Sequence, residues 1–545
     1  MSQDVLHFNG INGATGSYGL APMTGRELTE VLRNEDPAPN SRELKRRHDS
    51  VHKGDYGVKA GVDPGDIGQA GWGIVFAARM GPAVREALRP LMDLRREQAG
   101  HLFKEYWGGN GYRPGDTKEK FLRRSGGGGS GPVDPEKVPY YLLLVGSPEE
   151  IPYRFQNLLG VPHAVGRISF DTPQEYANYA ASVVAAERRE IKRQRRLGYF
   201  GVANADDKAT QMSAANLIDP MFQKLSSKDK GFEHRSWTGD EATKANLASL
   251  LGGEDTPALL FSASHGMEFP AGHPNQLAHQ GALLCQDWPG PRQWRKAIPQ
   301  DFYFAGDDVA SDASLAGLLF FQFACYGGGT PQLDEYTKQA FKDHHETIAP
   351  YPFLADLPKR LLSHPKGGAL AFVGHVDRAW SYSFMAPGLG SQTNAFESTF
   401  VELLDGLPVG AAMEYFTNRY AEISTELNTL LENMEYPNIE VDDWDVADKW
   451  TANNDARGYL ILGDPAVRMA VAKPDEEVRQ RSITVAEVTT SGASQLGDES
   501  VEDTALDDAV DAEKADLLRL LDRVAGGEEI VLKRAGRRVA RLVPD

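Results

Sequence analysis

The segment Leu318–Pro331 reads LLFFQFACYGGGTP and decides the fold class predicted for this chain. An apolar run leads to Cys325, and the three glycines Gly327–Gly329 follow after a single tyrosine. A short apolar run bounded by glycine is typical of a strand buried on both faces of a parallel sheet. The glycines leave the backbone beside Cys325 open to a bound ligand, so we expect this cysteine at the carboxyl end of a buried strand.

A second apolar run ends in a similar way nearer the N-terminus. Ala258–Met267 reads ALLFSASHGM and places His265 directly before Gly266. Because reactive groups in open α/β sheets collect at the carboxyl ends of the strands, we expect His265 and Cys325 on neighbouring strand ends. An imidazole beside a thiol is the usual means of generating a thiolate nucleophile. The pair therefore predicts a catalytic dyad, with the amides of Gly266 and Cys325 as its oxyanion hole.

Each of these residues also has an ordinary structural interpretation. A lone cysteine after an apolar run is often a small core side chain. The joint occurrence of the two, each after a strand and each followed closely by glycine, favours the catalytic interpretation. Cys285, in the context GALLCQDWPG, lacks these features and is predicted to be a buried thiol.

At these residues the sequence resembles the caspase–gingipain clan of cysteine peptidases, which includes the bacterial CHAT proteins. Caspases carry His-Gly and then Gln-Ala-Cys-x-Gly, whereas Gln322 stands one position too early here, so the gingipain-like branch fits better. Three further segments resemble landmarks of that branch: YYLLLVGSPEEIP at Tyr140–Pro152, VGRISFDTPQEYANYAASVVAAE at Val165–Glu187 and GYLILGDPAVRM at Gly458–Met469. The resemblance covers residues 139 to 470.

The resemblance implies a cysteine endopeptidase with a caspase-like α/β fold. The expected fold is a mainly parallel sheet flanked by helices on both faces, with a smaller α/β subdomain before it. The expected reaction needs no cofactor and no metal, acts on a protein or peptide substrate, and is compatible with an activating partner protein. Bacterial relatives often serve as regulated effectors in defence or programmed cell death, and the resemblance implies such a role here.

The residues that select the substrate are expected in ALAFVGHVDRAWSYSFM, Ala369–Met385, which follows the cysteine strand. Asp377 is the candidate to hold an Arg or Lys side chain, because a carboxylate and a guanidinium form strong paired hydrogen bonds. Trp380 could line the same pocket with its apolar face. Arg378 could instead select an acidic residue, as in caspases, or could simply pair with Asp377. The overall acidity of the chain favours a basic substrate.

Bulk properties narrow the function classes. The chain has 545 residues and a formal net charge of −19, which argues against nucleic acid as a partner because phosphates would be repelled. It has no apolar run long enough to span a membrane and no secretion signal at its start. With two cysteines it has no disulfide framework, so a cytoplasmic location is expected.

Composition divides the chain into six predicted segments. They are an N-terminal region of unknown role (1–124), a Gly/Ser/Pro linker (125–138), a smaller α/β subdomain (139–196), a caspase-like catalytic domain (197–472), an acidic flexible linker (473–516) and a C-terminal tail (517–545). Strands are predicted at Tyr140–Val145, Gly166–Phe170, Gly198–Ala203, Leu259–Ser262, Leu318–Phe323, Ala369–Gly374 and Tyr459–Leu462. Helices are predicted at Gly81–Phe103, Pro173–Arg196, Met212–Leu225, Ser398–Leu404 and Val409–Leu431.

Two charged stretches are predicted to be solvated. The basic run Lys192–Arg196 is expected on an exposed helix face, with a processing site as the alternative. The acidic cluster Asp307, Asp308 and Asp312 is expected in a solvated loop, with a pocket or a calcium site as the minority alternative.

The C-terminal tail has a character of its own. Leu517–Pro544 resembles the core of Phd-type antitoxins, with a helix at LLDRV and a hairpin in IVLKRAGRRVARLVP that turns at Ala535-Gly536. In that family the module dimerises and the part before it binds DNA. The acidic stretch before the tail and the net charge favour a docking or dimerising appendage, or a recognition tag, over a DNA-binding regulator. Two further alternatives for the whole chain are a caspase-like scaffold without catalysis and an acyltransferase or other thiol enzyme that uses the same dyad.

Overall fold

A computed structural model describes residues 10–19 and most of 57–474. Within 57–474 the structure leaves out residues 130, 229, 335–345, 387–389, 435 and 437. Outside these ranges it describes a few positions between 476 and 485 and short strands at 5–6, 23–24, 509–511, 530–534 and 537–542. Residues up to Val488 form one compact unit, and Thr489–Asp545 form a second.

A ten-stranded sheet organises the first unit. Its strands are β1 (Trp72–Phe76), β2 (Phe103–Tyr106), β3 (Tyr141–Val145), β4 (Ala164–Ile168), β5 (Arg196–Gly201), β6 (Glu233–Thr238), β7 (Leu259–Ala263), β8 (Leu319–Phe323), β9 (Ala371–His375) and β10 (Tyr459–Gly463). They lie in the order β2-β1-β3-β4-β10-β9-β8-β7-β5-β6. Every pairing is parallel except that of β9 with β10. The mainly parallel α/β fold predicted from the sequence is confirmed.

Helices flank this sheet. They are α1 (Ile67–Ala70), α2 (Pro82–Ala87), α3 (Arg89–Ala99), α4 (Lys118–Arg124), α5 (Tyr153–Leu159), α6 (Pro173–Glu187), α7 (Lys208–Ser213), α8 (Asp219–Ser226), α9 (Lys244–Leu250), α10 (Gln276–His279), α11 (Asp356–Leu362), α12 (Asn394–Leu404), α13 (Val409–Ala412), α14 (Glu414–Met434) and α15 (Asp443–Arg457). The helix α6 begins with a capping box in which Thr172 and Glu175 satisfy each other's backbone amides. No helix of the described residues has the length and apolar character that crossing a bilayer requires.

The seven predicted strands are all present, each within about two residues of its expected position at either end. Three strands of the ten-stranded sheet escaped prediction for identifiable reasons. The strand β1 is only five residues long in a glycine-rich context, so its apolar run stood out weakly. The strands β2 and β6 lie at the two edges of the sheet, where polar sequences such as FKEY and EHRSWT remain partly exposed.

The expectation of a separate region before a linker differs from the structure. Strands β1 and β2 lie before residues 125–138 in the chain, and β3 lies after them. All five residues of β1 nevertheless pair with the five residues of β3 in the same sheet. Val133 and Val138 of the glycine-rich stretch are buried, so it packs against the domain rather than joining two domains. Composition alone predicted flexibility, whereas two apolar anchors fix the segment.

The predicted helix Pro173–Arg196 ends earlier, at Glu187. Arg189 adopts a left-handed backbone conformation with φ of 60°, which no helix can continue through. The basic run after it is not a solvated helix face, because the Arg193 side chain is buried and donates to the carbonyl of Thr256 at 3.2 Å. Arg196 already begins the strand β5.

The second unit contains the predicted hairpin. Strands Ile530–Arg534 and Arg537–Leu542 pair antiparallel, which leaves Ala535-Gly536 between them as expected. A short strand, Ala509–Asp511, pairs parallel with the first of them, although no strand was expected in the acidic stretch. The predicted LLDRV helix lies outside the described residues.

A buried ion pair connects the closing strand to the N-terminal part of the sheet. Asp464, directly after β10, accepts hydrogen bonds from Arg95 Nε at 2.8 Å and from Trp72 Nε1 at 2.9 Å. The side chains of Arg95 and Asp464 are both completely buried. The Gly-Asp-Pro sequence at the end of β10 therefore supports the packing of α3 and β1 against the rest of the fold.

Replacing Asp464 by alanine is expected to lower the free energy of unfolding by about 3–5 kcal/mol, because it leaves the Arg95 guanidinium buried with only part of its compensation. Urea unfolding of the full chain measures this loss. The matched control is Asp93→Ala, which breaks the exposed pair with Arg96 and should leave the midpoint nearly unchanged. Equal losses in the two variants would contradict a supporting role for the buried pair.

Candidate active site

The structure places the backbones of His265 and Cys325 at the same level, just beyond the carboxyl ends of two neighbouring strands. Strands β7 and β8 are parallel neighbours, and their last paired residues are Ala263 and Phe323. Each candidate stands two residues beyond that pair, so both lie at the same level of the sheet. Neighbouring strands are about 4.8 Å apart, which brings the two backbones within reach of one another's side chains.

A buried carboxylate that the sequence analysis did not name holds the histidine. His265 Nε2 lies 2.6 Å from Asp207 Oδ2, and both side chains are completely buried. Burial opposes the charge on Asp207, but the charge of His265 and the hydrogen bonds from His265, Tyr18 and Thr210 outweigh it. They lower the pKa of Asp207 to about 2. An ionised carboxylate thus fixes one imidazole nitrogen, while Nδ1 makes no hydrogen bond within the described part of the chain.

Asp207 reaches this position because it follows β5, the other neighbour of β7 in the sheet. It is the N-cap residue of α7, where its side chain also accepts a hydrogen bond from the Ala209 amide. An acidic pair after a predicted strand, Asp206-Asp207, was visible in the sequence. The order of the strands, which makes β5 adjacent to β7, was not.

Cys325 is completely buried in this structure. Its Sγ accepts a hydrogen bond from the Ala379 amide at 3.2 Å. Burial raises the pKa of the thiol well above its ordinary value, and the nearby charge of Glu268 adds to the effect despite the Ala379 hydrogen bond. The side chain is therefore a protonated thiol at neutral pH in this state.

The turn after Cys325 is tightly constrained. Tyr326 has a left-handed φ of 57°, and its amide donates to the carbonyl of Asp377 at 2.8 Å. Asp377 itself has a φ of 74°, which is uncommon for a residue with a Cβ. Two strained residues facing each other hold the thiol against the segment that follows β9, and strain of this kind clusters at functional sites.

Gly266 fits where no other residue would. A Cβ on Gly266 would lie 1.8 Å from the carbonyl oxygen of Cys325. The Met267 backbone bonds to Gly281 and Ala282 on one side, so the amides of Gly266 and Glu268 face the opposite edge. The Gly266 amide thus lies against the Cys325 backbone and is directed away from Leu283–Leu284, towards the strand Gly10–Asn12.

The two specificity candidates lie in different surroundings. Asp377 is near the thiol, and its Oδ1 accepts a hydrogen bond from the Arg378 amide at 2.8 Å. Trp380 is buried in a separate apolar cluster with residues of α14 and α15, and its amide donates to Asp455. The structure therefore brings Asp377, but not an exposed face of Trp380, to the neighbourhood of Cys325.

Arg378, between them, is the centre of a buried charge cluster. Its guanidinium lies 2.8 Å from Asp334, 3.2 Å from Glu268 and 3.7 Å from Asp377. Tyr326 also donates its hydroxyl to Glu268 Oε1 at 3.3 Å. Three carboxylates surround one guanidinium beside the thiol, so this corner of the site carries excess negative charge.

The remaining candidates have ordinary structural surroundings. Cys285 is buried, as predicted. In the acidic cluster, Asp307 lies 3.2 Å from His279 and Asp308 lies 2.7 Å from Lys244, so both carboxylates have positively charged or donor partners. No group of metal-binding side chains converges in the described residues.

Comparison with known proteins gives structural similarities only. The chain matches no protein-family model and no curated protein. Among solved structures it is similar to one described as a protease, with a TM-score of 0.42 and 15% identity over 73% of this chain and 78% of that one. It is also similar to the Arg-specific cysteine proteinase gingipain R (TM-score 0.40, 12% identity, 78% and 80% covered). A third is the complex of the pro- and mature domains of RgpB from Porphyromonas gingivalis (0.38, 14%, 75% and 80%). Similarity at this level assigns neither family nor activity, so function has to be argued from the geometry of the site.

The low pKa of Asp207 has a measurable consequence for stability. Because the folded-state pKa is about 2 and the ordinary value is near 4, the ionised carboxylate stabilises the fold above about pH 4. This contribution, about 2 kcal/mol, is lost as the pH falls towards 2. We expect the difference in unfolding free energy between wild type and Asp207→Asn to have its maximum value at pH values above about 5 and to decrease below about pH 4.

Urea unfolding of both proteins across this pH range measures the difference. The exposed carboxylate Asp240 supplies the control, since Asp240→Asn should shift stability little at any pH. A difference between wild type and Asp207→Asn that does not change with pH would show that Asp207 is not an ionised partner of His265.

Proposed function

We propose that this chain is a cysteine endopeptidase in which Cys325 is the nucleophile, His265 the acid and base, and Asp207 the residue that orients the imidazole. One observation carries the proposal. An ionised, buried Asp207 holds one nitrogen of His265, which stands at the same level as Cys325 on the adjacent strand. This is the nucleophile–base–orienting-group arrangement that activated nucleophiles require.

The proposed reaction is peptide hydrolysis through an acyl-enzyme. Cys325 Sγ attacks the scissile carbonyl carbon while its proton passes to His265, and the amides of Gly266 and Cys325 stabilise the oxyanion. The carbon–nitrogen bond breaks as His265 gives that proton to the leaving amine. His265 then takes a proton from water as the water attacks the thioester, and it returns this proton to the leaving Cys325 sulfur, which releases the acid and the free thiol. Asp207 stabilises the imidazolium formed in each half-reaction.

The charge cluster around Arg378 supports a preference for Arg or Lys in the substrate. Glu268 Oε2 is buried and makes no hydrogen bond among the described residues, although its other oxygen is shared by Tyr326 and Arg378. A cationic side chain would satisfy this oxygen and offset the excess of carboxylates. Arg378 is already paired with Glu268 and Asp334, which disfavours the caspase-like alternative in which it binds an acidic residue.

A non-catalytic scaffold is the second candidate function. The complete burial of Cys325 and the raised pKa of its thiol favour it, because neither suits a nucleophile ready to react. The ionised Asp207 beside His265 favours catalysis. A histidine with only a structural role would not need a buried carboxylate as its partner. An effector role in defence or cell death, and a regulatory role of the tail, remain expectations from the resemblance.

Peptide cleavage tests the proposed roles. With a diverse peptide library and mass-spectrometric mapping of the cuts, Cys325→Ala should abolish cleavage by the full chain. Asp207→Asn should lower kcat by a factor on the order of 10²–10⁴, because the imidazole loses its orienting charge. Cys285→Ala is the matched control and should retain the wild-type rate. Cleavage that survives Cys325→Ala would contradict the proposal.

Substrate preference tests the role of Glu268 separately. We expect the wild type to cut after Arg or Lys, and Glu268→Gln to raise KM for these substrates by about tenfold or more, since one charge-assisted hydrogen bond is lost. The same variant should affect cleavage after uncharged residues little. Cuts predominantly after Asp or Glu would overturn the basic preference while leaving the catalytic residues in place.

A further inference from the structure

The glycine-rich residues 10–19, GINGATGSYG, lie directly over the candidate nucleophile. We call them the N-terminal segment. Its strand Gly10–Asn12 pairs parallel with Gly266–Glu268, so that Gly10 stands opposite Gly266. A Cβ on Gly10 would lie 3.7 Å from Cys325 Sγ. The backbone of the chain's own start thus occupies the space that a substrate carbonyl has to enter.

The same segment touches the other groups of the site. The Tyr18 hydroxyl donates to Asp207 Oδ1 at 2.7 Å, and its ring stands edge-on to His265 with centroids 6.0 Å apart. Gly19 lies against Glu268, because a Cβ there would come within 1.8 Å of Glu268 Oε2. One segment therefore covers the nucleophile, the base and its carboxylate, and the proposed specificity residue.

The glycine spacing of the segment follows from this close approach. A Cβ on Gly13 would lie 2.5 Å from the Phe269 ring, so only a glycine lets the backbone approach that ring so closely. Gly16 turns the chain with a φ of 70°. These glycines thus allow a chain segment to lie on the site.

Without the N-terminal segment, the strand Gly266–Glu268 would have one edge without a paired strand. The amides and carbonyls of Gly266 and Glu268 face away from Leu283–Leu284, and the Gly13 amide donates to the Glu268 carbonyl at 2.7 Å. Main-chain bonds of this kind can be made by any extended peptide, which is how strand addition recognises its ligands. With the segment in place, both His265 and Cys325 are completely inaccessible to solvent.

We propose that the edge of Gly266–Glu268 is the strand-addition site for an extended peptide substrate, and that the N-terminal segment occupies it in the resting protein. The substrate main chain replaces Gly10–Asn12 when the segment opens, and this opening limits the rate at which the enzyme binds substrate. This inference rests on the proposed peptidase function, but the position of the segment can be tested without catalysis.

The contacts of the N-terminal segment allow a substrate strand to replace it. Among the described residues, the segment is held by the buried side chain of Ile11, the Tyr18 hydroxyl, the pairing with Gly266–Glu268 and backbone hydrogen bonds such as that from the Ile298 amide to the Gly13 carbonyl at 2.9 Å. A substrate strand restores the main-chain bonds on the Gly266–Glu268 edge that the segment gives up. Exchange therefore keeps the hydrogen bonds of that edge satisfied, whereas the burial of Ile11 and the Tyr18–Asp207 bond are given up.

Disulfide trapping tests the position of the segment in the full chain. Under mild oxidation, the introduced thiol of Gly10→Cys should form a disulfide with Cys325, found by mass spectrometry of unreduced peptides, because the two sites are within disulfide reach. Peptide cleavage should be lost on oxidation and return on reduction. Ser17→Cys, at an exposed position of the same segment, is the control and should not cross-link to Cys325.

Alkylation of the two native thiols tests the opening of the segment. Gly13→Val and Ile11→Asp should each raise the alkylation rate of Cys325 at neutral pH by about tenfold or more, since opening of the segment limits access. Cys285, buried elsewhere in the same fold, should stay unmodified and so reports that the fold is intact. Gly109→Val, where a Cβ would meet open space, is the matched control and should change neither rate.

The outcomes separate this inference from the proposed function. Faster Cys325 alkylation and a Gly10–Cys325 cross-link without any peptide cleavage would support the position of the segment over Cys325 and contradict the peptidase. Wild-type cleavage that neither the cross-link nor the two variants change would overturn the inference and leave the peptidase standing. If Cys285 reacts as fast as Cys325 in one variant, that variant has unfolded, and the cross-linking result alone decides.

Discussion

The in-register parallel pairing of β7 with β8 is the constraint on which the site depends. It brings two chain segments that are far apart in sequence to the same level of one sheet edge, so that His265 and Cys325 follow the same paired position. The neighbouring strand β5 then delivers Asp207 to the far side of the imidazole. A shift of one residue in this register would turn each side chain to the opposite face of the sheet and separate the three groups.

Two buried charged pairs connect separate elements of the fold. Asp464 with Arg95 and Asp207 with His265 are both fully buried pairs at the ends of strands. The first pair joins the closing strand to α3, whereas the second joins two strand ends of the other half of the sheet. Desolvating such groups is costly unless each finds a partner, so removing one member of either pair should destabilise the fold.

Much of this arrangement could be predicted from local sequence, and what could not has a physical reason. Apolar runs gave the seven central strands, and the glycines after His265 and Cys325 indicated a site at their ends. Asp207 escaped prediction because its role depends on strand order, which no local pattern encodes. The covering of Cys325 by Gly10 escaped it as well, since a glycine-rich start reads as a flexible segment unless its pairing partner is known.

The central claim is that Cys325 is a peptidase nucleophile, and one measurement tests it most directly. The full chain is incubated with a peptidyl electrophile that carries arginine next to its reactive carbonyl, and the adduct is located by tandem mass spectrometry. The account predicts one adduct, on Cys325, that forms in the wild type and is strongly reduced in His265→Ala. An adduct on Cys285, or labelling of Cys325 that is indifferent to His265, would contradict it.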